Sequence, residues 1–127
     1  MSTKILCIDD SRMVHMLVTK SLKSLDVEVI TAVNGQDGIE KAELERPDLI
    51  LLDATMPVMD GIETLAALKG NPDTKDIPVV MLSADSEKDN FGRARQLGAL
   101  KFFSKPFTGD DLLSGLAPFI HFGQKAA

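Results

Sequence analysis

Four consecutive aliphatic residues, Leu49-Ile50-Leu51-Leu52, run directly into Asp53 and then into the turn-rich stretch Ala54-Thr55-Met56-Pro57-Val58-Met59-Asp60-Gly61. A strand that is apolar at every position, not at alternate ones, is buried on both faces. That is the habit of a parallel sheet covered by helices on each side. The run therefore favours α/β architectures over all-α or antiparallel β folds. It also sets a carboxylate at the end of a buried strand, where a charge costs free energy unless a partner answers it. In open α/β sheets the crevice outside the carboxyl ends of the strands is where ligands bind.

The rest of the chain alternates to match. Ile5-Leu6-Cys7-Ile8 reads as a first strand, and Asp10-Ser11 can cap a helix carrying Val14, Leu17, Val18, Leu22 and Leu25 at helical spacing. Val27 to Ala32 is a β-branched second strand. Asn34-Gly35 marks a turn, followed by a helix around Asp37 to Glu45 that stops at Pro47. Leu49 to Asp53 is the third strand. A shorter helix after Gly61 turns Ile62, Leu65 and Leu68 inward and ends at Gly70-Asn71-Pro72. Ile77 to Leu82 is the fourth strand, and Ser86-Glu87-Lys88-Asp89 opens a fourth helix in the manner of a capping box. That helix is weak: Gly92 lies inside it, and its apolar stripe is little more than Phe91, Ala94 or Arg95, and Leu97. Leu100 to Ser104 is the fifth strand. Thr108-Gly109-Asp110-Asp111 opens a fifth helix with Leu112, Leu113 and Leu116, which Pro118 should end or kink near Ala117. Five strands with helical crossovers predict a parallel sheet with helices on both faces. Periodicity leaves the strand order open.

Composition narrows the function classes. A chain of 127 residues suits one domain, residues 1–127, with its core at about 3–121 and a frayed tail at 122–127. The net charge of −5 argues against nucleic acid as a direct partner. No segment reaches the roughly 18 apolar residues of a membrane span. Met1-Ser2-Thr3-Lys4 leads straight into the first strand, so a cytoplasmic protein is expected. The one cysteine, Cys7, sits in an apolar run and reads as a core residue. His15 and His121 lack zinc-ligand spacing and read as surface residues. Met13, Met16, Met56 and Met59 read as packing, with Met59 the one that the loop after Asp53 could expose.

Chemistry gathers at the strand ends. Strand one ends in Asp9-Asp10, strand three in Asp53, strand four in Ser83-Ala84 and strand five in Ser104-Lys105-Pro106. In a parallel sheet these ends share one edge, giving three carboxylates, a hydroxyl and an ammonium. Crowded carboxylates share a proton or bind a cation. An oxygen-only donor set suits Mg²⁺, which keeps several waters and meets phosphate oxygens. A hydroxyl and a lysine beside such a cation form a cradle for a phosphoryl group, and the simplest reaction is attack by an Asp oxygen on phosphorus.

Asp9-Asp10, Leu51-Leu52-Asp53, Met56-Pro57-Val58-Met59-Asp60-Gly61, Ser83-Ala84 and Lys105-Pro106-Phe107 together resemble the receiver domain of two-component response regulators, over about residues 3 to 121. The resemblance implies a flavodoxin-like (βα)5 doubly wound parallel five-stranded sheet of order 2-1-3-4-5. It implies that Asp53 is the phosphoacceptor, served by the phosphohistidine of a sensor histidine kinase or phosphotransfer protein. Asp10 and Asp53 would bind Mg²⁺ directly with the Thr55 backbone carbonyl, and Asp9 mainly through water. Lys105 would pair with Asp53 and then with the phosphoryl oxygens. Ser83 would move to the phosphoryl group, and Phe102 would swing inward with it. Thr55 and Asp85 would tune how water reaches the phosphoryl group, and so its lifetime. The implied module is a signalling switch with self-catalysed phosphorylation and slow hydrolysis, not an enzyme with a turned-over substrate. It is expected to stand alone and act by docking onto a downstream protein, as a monomer for which phosphorylation allows a dimer.

Two other classes compete. An aspartyl-phosphate hydrolase of the haloacid-dehalogenase type wants a second Asp two residues after a nucleophile that follows the first strand. Here that position is Thr55, and Asp53 follows the third strand. A flavin-binding flavodoxin wants hydroxyls and glycines after strand one, where Asp9-Asp10 would repel phosphate.

Overall fold

The computed structural model describes residues 3–23, 25, 27–54, 59–84, 91–105 and 107–116, with the backbone alone at 84, 91 and 105. Its elements alternate along the chain: β1 Thr3–Ile8, α1 Arg12–Ser21, β2 Val27–Ala32, α2 Gly35–Glu45, β3 Leu49–Asp53, α3 Gly61–Lys69, β4 Val79–Ala84, α4 Phe91–Gln96, β5 Lys101–Lys105 and α5 Gly109–Leu116. The strands form one sheet of order β2-β1-β3-β4-β5, every neighbouring pair parallel. This is the flavodoxin-like α/β fold, in the strand order that the family resemblance implies.

The continuous apolar runs follow from the two-sided burial. Leu6, Ile8, Ile50, Leu52, Val79 and Met81 point to one face and pack with Ala42, Leu65, Leu68 and Ala94 from the helices there. Their chain neighbours Ile5, Cys7, Leu49, Leu51, Val80 and Leu82 point to the other and pack with Val18, Leu22, Leu112 and Leu116. Successive strand side chains alternate faces, so a strand between two helical layers must be apolar at every position. Each fully buried Leu or Ile contributes about 1.5–3 kcal/mol relative to exposure. Cys7 is a buried core residue of the second layer.

Helix starts are set by local chemistry. Ser11, not Asp10, is the N-cap of α1 and accepts from the Val14 N–H. Asn34 is the N-cap of α2, so the expected turn there is the first step of the helix. Asp60 and Glu63 form a reciprocal capping box at α3. Thr108 and Asp111 exchange the same pair of bonds at α5. The segment Ser86 to Asp89 and Pro118 lie outside the described residues.

Several boundaries differ from the sequence pattern: β1 begins at Thr3, not Ile5, α2 at Gly35, not Asp37, and β5 spans Lys101–Lys105, not Leu100 to Ser104. β4 begins at Val79, not Ile77, because the Ile77 N–H is spent on the Thr74 carbonyl and Pro78 has no N–H to give. It runs on through Ser83 and Ala84, which pair with Ser104 and Lys105 of β5. α1 ends at Ser21, so Leu22 is its C-cap and Leu25 packs from beyond the helix. Within α4 the buried member of the stripe is Ala94, and Arg95 is exposed.

Candidate functional site

The sheet reverses its winding between β1 and β3, and that switch point is where a crevice opens at the carboxyl edge. Ile8 pairs with Leu52, so the next residue of each strand, Asp9 and Asp53, leaves the sheet side by side. One carboxylate oxygen from each of Asp9, Asp10 and Asp53 lies within 4.8 Å of the others. Asp9 is fully buried and Asp53 is 4% exposed, while Asp10 opens to solvent. Asp9 is held from both sides: its Oδ1 accepts from the Ser11 N–H at 2.9 Å, and its own N–H donates to the Ala32 carbonyl. Two carboxylate charges about 5 Å apart oppose each other by about 3 kcal/mol at an effective dielectric near 20. A divalent cation on three oxygen donors removes that cost, and the donor set is the hard, all-oxygen kind that suits Mg²⁺.

Asp53 pairs with Leu82, so Ser83 is the next residue outward on β4. Ser83 is 1% exposed, and its Oγ is the one buried side-chain polar atom without a hydrogen-bond partner among the described residues. A buried hydroxyl left unsatisfied costs about 1–3 kcal/mol, which marks it as a group awaiting a ligand or a water. The backbone of Lys105 pairs with Ala84 at the same edge. Phe102, three residues earlier on β5, is half-buried against the first core layer. Thr55 and Asp85 lie outside the described residues.

The loop that carries Asp53 is pinned by close packing. The Ala54 N–H donates to the Leu82 carbonyl, and the Gly61 N–H donates back to the Ala54 carbonyl. A Cβ at Gly61 would run into the Asp53 carbonyl and the Ala54 Cα. Gly61 is thus required by the near contact of α3 with the end of β3. It is not required by a positive φ; the described residues with positive φ are Arg46 and Gly98.

The methionines of α1 depart from the packing role that the sequence suggests. Met13 and Met16 are 81% and 64% exposed, because α1 presents them outward beside Asp10. With Val33 they line an open groove of about 1160 Å³ between α1 and β2, edged by Arg12, Lys20 and Lys23. They are surface, not packing; Met59 is half-buried and Met56 lies outside the described residues. His15 is half-buried, with Nε2 3.2 Å from the Ala32 carbonyl oxygen, tying α1 to the end of β2. Arg95 was missed as a neighbour of Phe102: its guanidinium carbon stands 5.7 Å from the ring centroid. No spacing in the sequence announces that contact, since α4 and β5 meet only in the fold.

Fold and cluster together define a class: a doubly wound α/β protein whose acidic, cation-competent site sits at the topological switch point. A family model described as response regulator receiver domain matches residues 5–117, and the chain belongs to that family. The family is a signalling module, not an enzyme. Protein PilG of Pseudomonas aeruginosa is 34% identical over 113 residues, covering 89% of this chain and 84% of PilG. Chemotaxis protein CheY4 of Vibrio cholerae superposes with a TM-score of 0.88 at 31% identity, covering 94% of this chain and all of that one. The receiver domain of a Pseudomonas aeruginosa sensor histidine kinase shares the fold at a TM-score of 0.83 and 24% identity, covering 94% and 98% of the two chains. That structure holds a magnesium ion in its active-site cleft. Among the described residues no helix is long and apolar enough to cross a membrane.

Proposed function

We propose that Asp53 accepts a phosphoryl group from the phosphohistidine of a sensor histidine kinase or phosphotransfer protein, in a Mg²⁺-dependent reaction. The observation that carries this reading is the convergence of Asp9, Asp10 and Asp53 within 4.8 Å at the switch point. Asp10 and Asp53 would hold the cation with the Thr55 carbonyl, and Asp9 would act mainly through water. When bound, Mg²⁺ neutralises the crowded carboxylates and the phosphoryl oxygens that approach them. An Asp53 oxygen attacks phosphorus as the phosphorus–nitrogen bond to the donor imidazole breaks, and the imidazole leaves with a proton. Lys105 meets the charge that builds on the phosphoryl oxygens. The Ser83 hydroxyl, without a partner among the described residues, gains an acceptor there, and Phe102 follows it inward, which changes the surface offered to a downstream protein. Thr55 and Asp85 set how readily water reaches the adduct. The exposed Met13, Met16 and Val33 beside Asp10 give the phosphodonor an apolar footing, and Arg12, Lys20 and Lys23 give it a charge to match. The reading places the protein in the cytoplasm, where the kinase supplies phosphoryl groups.

Incubation with acetyl phosphate and Mg²⁺, followed by intact mass measurement, tests the reading. A gain of one phosphoryl group, lost in Asp53→Asn and in the presence of EDTA, is expected. No adduct, or an adduct that persists in Asp53→Asn, overturns it.

A further inference from the structure

Phe102 and α4 are joined by a contact that the phosphoryl chemistry does not require. The ring is half-buried against the first core layer, and the Arg95 guanidinium stands over it at 5.7 Å from the centroid. Arg95 is exposed and pairs with no carboxylate among the described residues. Among the described side chains α4 has few other anchors. It is six residues long, and from Gly92 to Gln96 Ala94 alone is buried. A Cβ at Gly92 would touch nothing within 4 Å, and just beyond the helix the chain turns at Gly98 with φ +107°. A short helix with one buried side chain among those described opens at low free-energy cost, so a single added contact weighs heavily in its position.

We propose that Arg95 is a positioning residue: its guanidinium latches the Phe102 ring in the place it occupies here and ties that ring to α4. The inference rests on Phe102 being the aromatic that moves on phosphorylation, as set out under the proposed function. A cation over an exposed aromatic face stabilises the pair by about 0.5–1 kcal/mol, equivalent to about a 2- to 5-fold change in an equilibrium. The latch favours the unphosphorylated arrangement. A phosphoryl mimic that prefers the other arrangement must overcome it, and removing the latch raises apparent affinity by the same factor. Plain electrostatics predicts the opposite sign. Loss of a positive charge from an acidic protein weakens anion binding.

The test uses the full chain and beryllofluoride with Mg²⁺ as the probe, titrated by calorimetry, alongside amide hydrogen exchange of residues 92–96 without any ligand. Arg95→Gln is expected to bind the probe about 2- to 5-fold more tightly and to exchange α4 amides faster by a similar factor. Arg95→Lys, which keeps the cation, returns most of both values. In a Phe102→Leu background the Arg95→Gln change should alter neither, because the partner is gone. Unchanged or weaker binding in Arg95→Gln, or an equal effect with and without Phe102, overturns the latch. Failure of the unmutated protein to bind beryllofluoride would sink the phosphoryl reading instead. The ligand-free exchange rates still judge Arg95 in that case, and unchanged rates overturn the latch.

Discussion

Asp9→Asn is expected to stabilise the protein without metal and to remove most of its response to Mg²⁺. Asp9 is fully buried, Asp53 is 4% exposed, and the cluster oxygens lie within 4.8 Å of each other. At about 5 Å and an effective dielectric near 20, the two charges oppose each other by about 3 kcal/mol. Other neighbours of these carboxylates offset part of that, which sets the net gain at about 1–2 kcal/mol. The replacement preserves what Asp9 does for the backbone. Asparagine keeps the oxygen that accepts from the Ser11 N–H at 2.9 Å, so the entry to α1 is undisturbed. For a chain of this size about 1 kcal/mol moves the melting temperature by roughly 3–5 °C, so the variant should melt about 4–8 °C higher in EDTA. Added Mg²⁺ stabilises the unmutated protein by RT times the logarithm of one plus the ratio of its free concentration to its Kd. The variant, with one negative charge fewer facing the cation, should show a much smaller rise. Thermal denaturation followed by circular dichroism, in EDTA and across a Mg²⁺ series, reads both effects. A variant that keeps its native spectrum yet melts lower in EDTA would refute the crowding argument, and equal Mg²⁺ shifts in both proteins would refute the metal assignment.

Further predictions rest on separate features. Ser83→Ala removes a buried hydroxyl that has no partner among the described residues, so stability in urea should hold or rise by about 1 kcal/mol while beryllofluoride affinity falls about tenfold; a clear loss of stability would show that the hydroxyl was already satisfied. Gly61→Ala drives a methyl group into the Asp53 carbonyl and the Ala54 Cα, which are backbone and cannot step aside, at a cost of about 1–3 kcal/mol; an unchanged urea midpoint would contradict the close approach. Lys69 is pushed below its ordinary 10.5 by burial, with Asp76 opposing in part, and donates to the Lys75 and Ile77 carbonyls. The unfolded chain therefore holds that proton more tightly, and its contribution to stability rises as pH climbs through the window just below 10.5. Urea midpoints measured upward from about pH 8 should climb more steeply in the unmutated protein than in Lys69→Met, and parallel curves would disprove the shift.

Much of the fold was legible because its signals are local. A strand sandwiched between two helical layers must be apolar throughout, and Leu49 to Leu52 shows that without reference to any other residue. The capping pairs Asp60 with Glu63 and Thr108 with Asp111 are spaced three apart, so the sequence itself holds both partners. The site was legible to the extent that its members end strands. Asp9, Asp10, Asp53 and Ser83 each lie at the end of an apolar run, and a parallel sheet gathers such ends at one edge. Where the pattern misled, two local rules competed: the apolar run from Ile77 looked like strand, but a turn bond at Ile77 and the missing N–H of Pro78 delayed it to Val79.

What the sequence by itself determined is thus the alternation of strands and helices, the two-faced core and the set of polar residues at the strand ends. What only the tertiary structure decided is who stands beside whom. The strand order brings Asp9 next to Asp53 and leaves Ser83 without a partner among the described residues. Helix packing turns Met13 and Met16 outward, presses α3 so close to β3 that position 61 must be glycine, and lays Arg95 over Phe102. The physical reason is that periodicity along a chain records which face of its own element a residue occupies, whereas a neighbour from another element is fixed only when the layers pack.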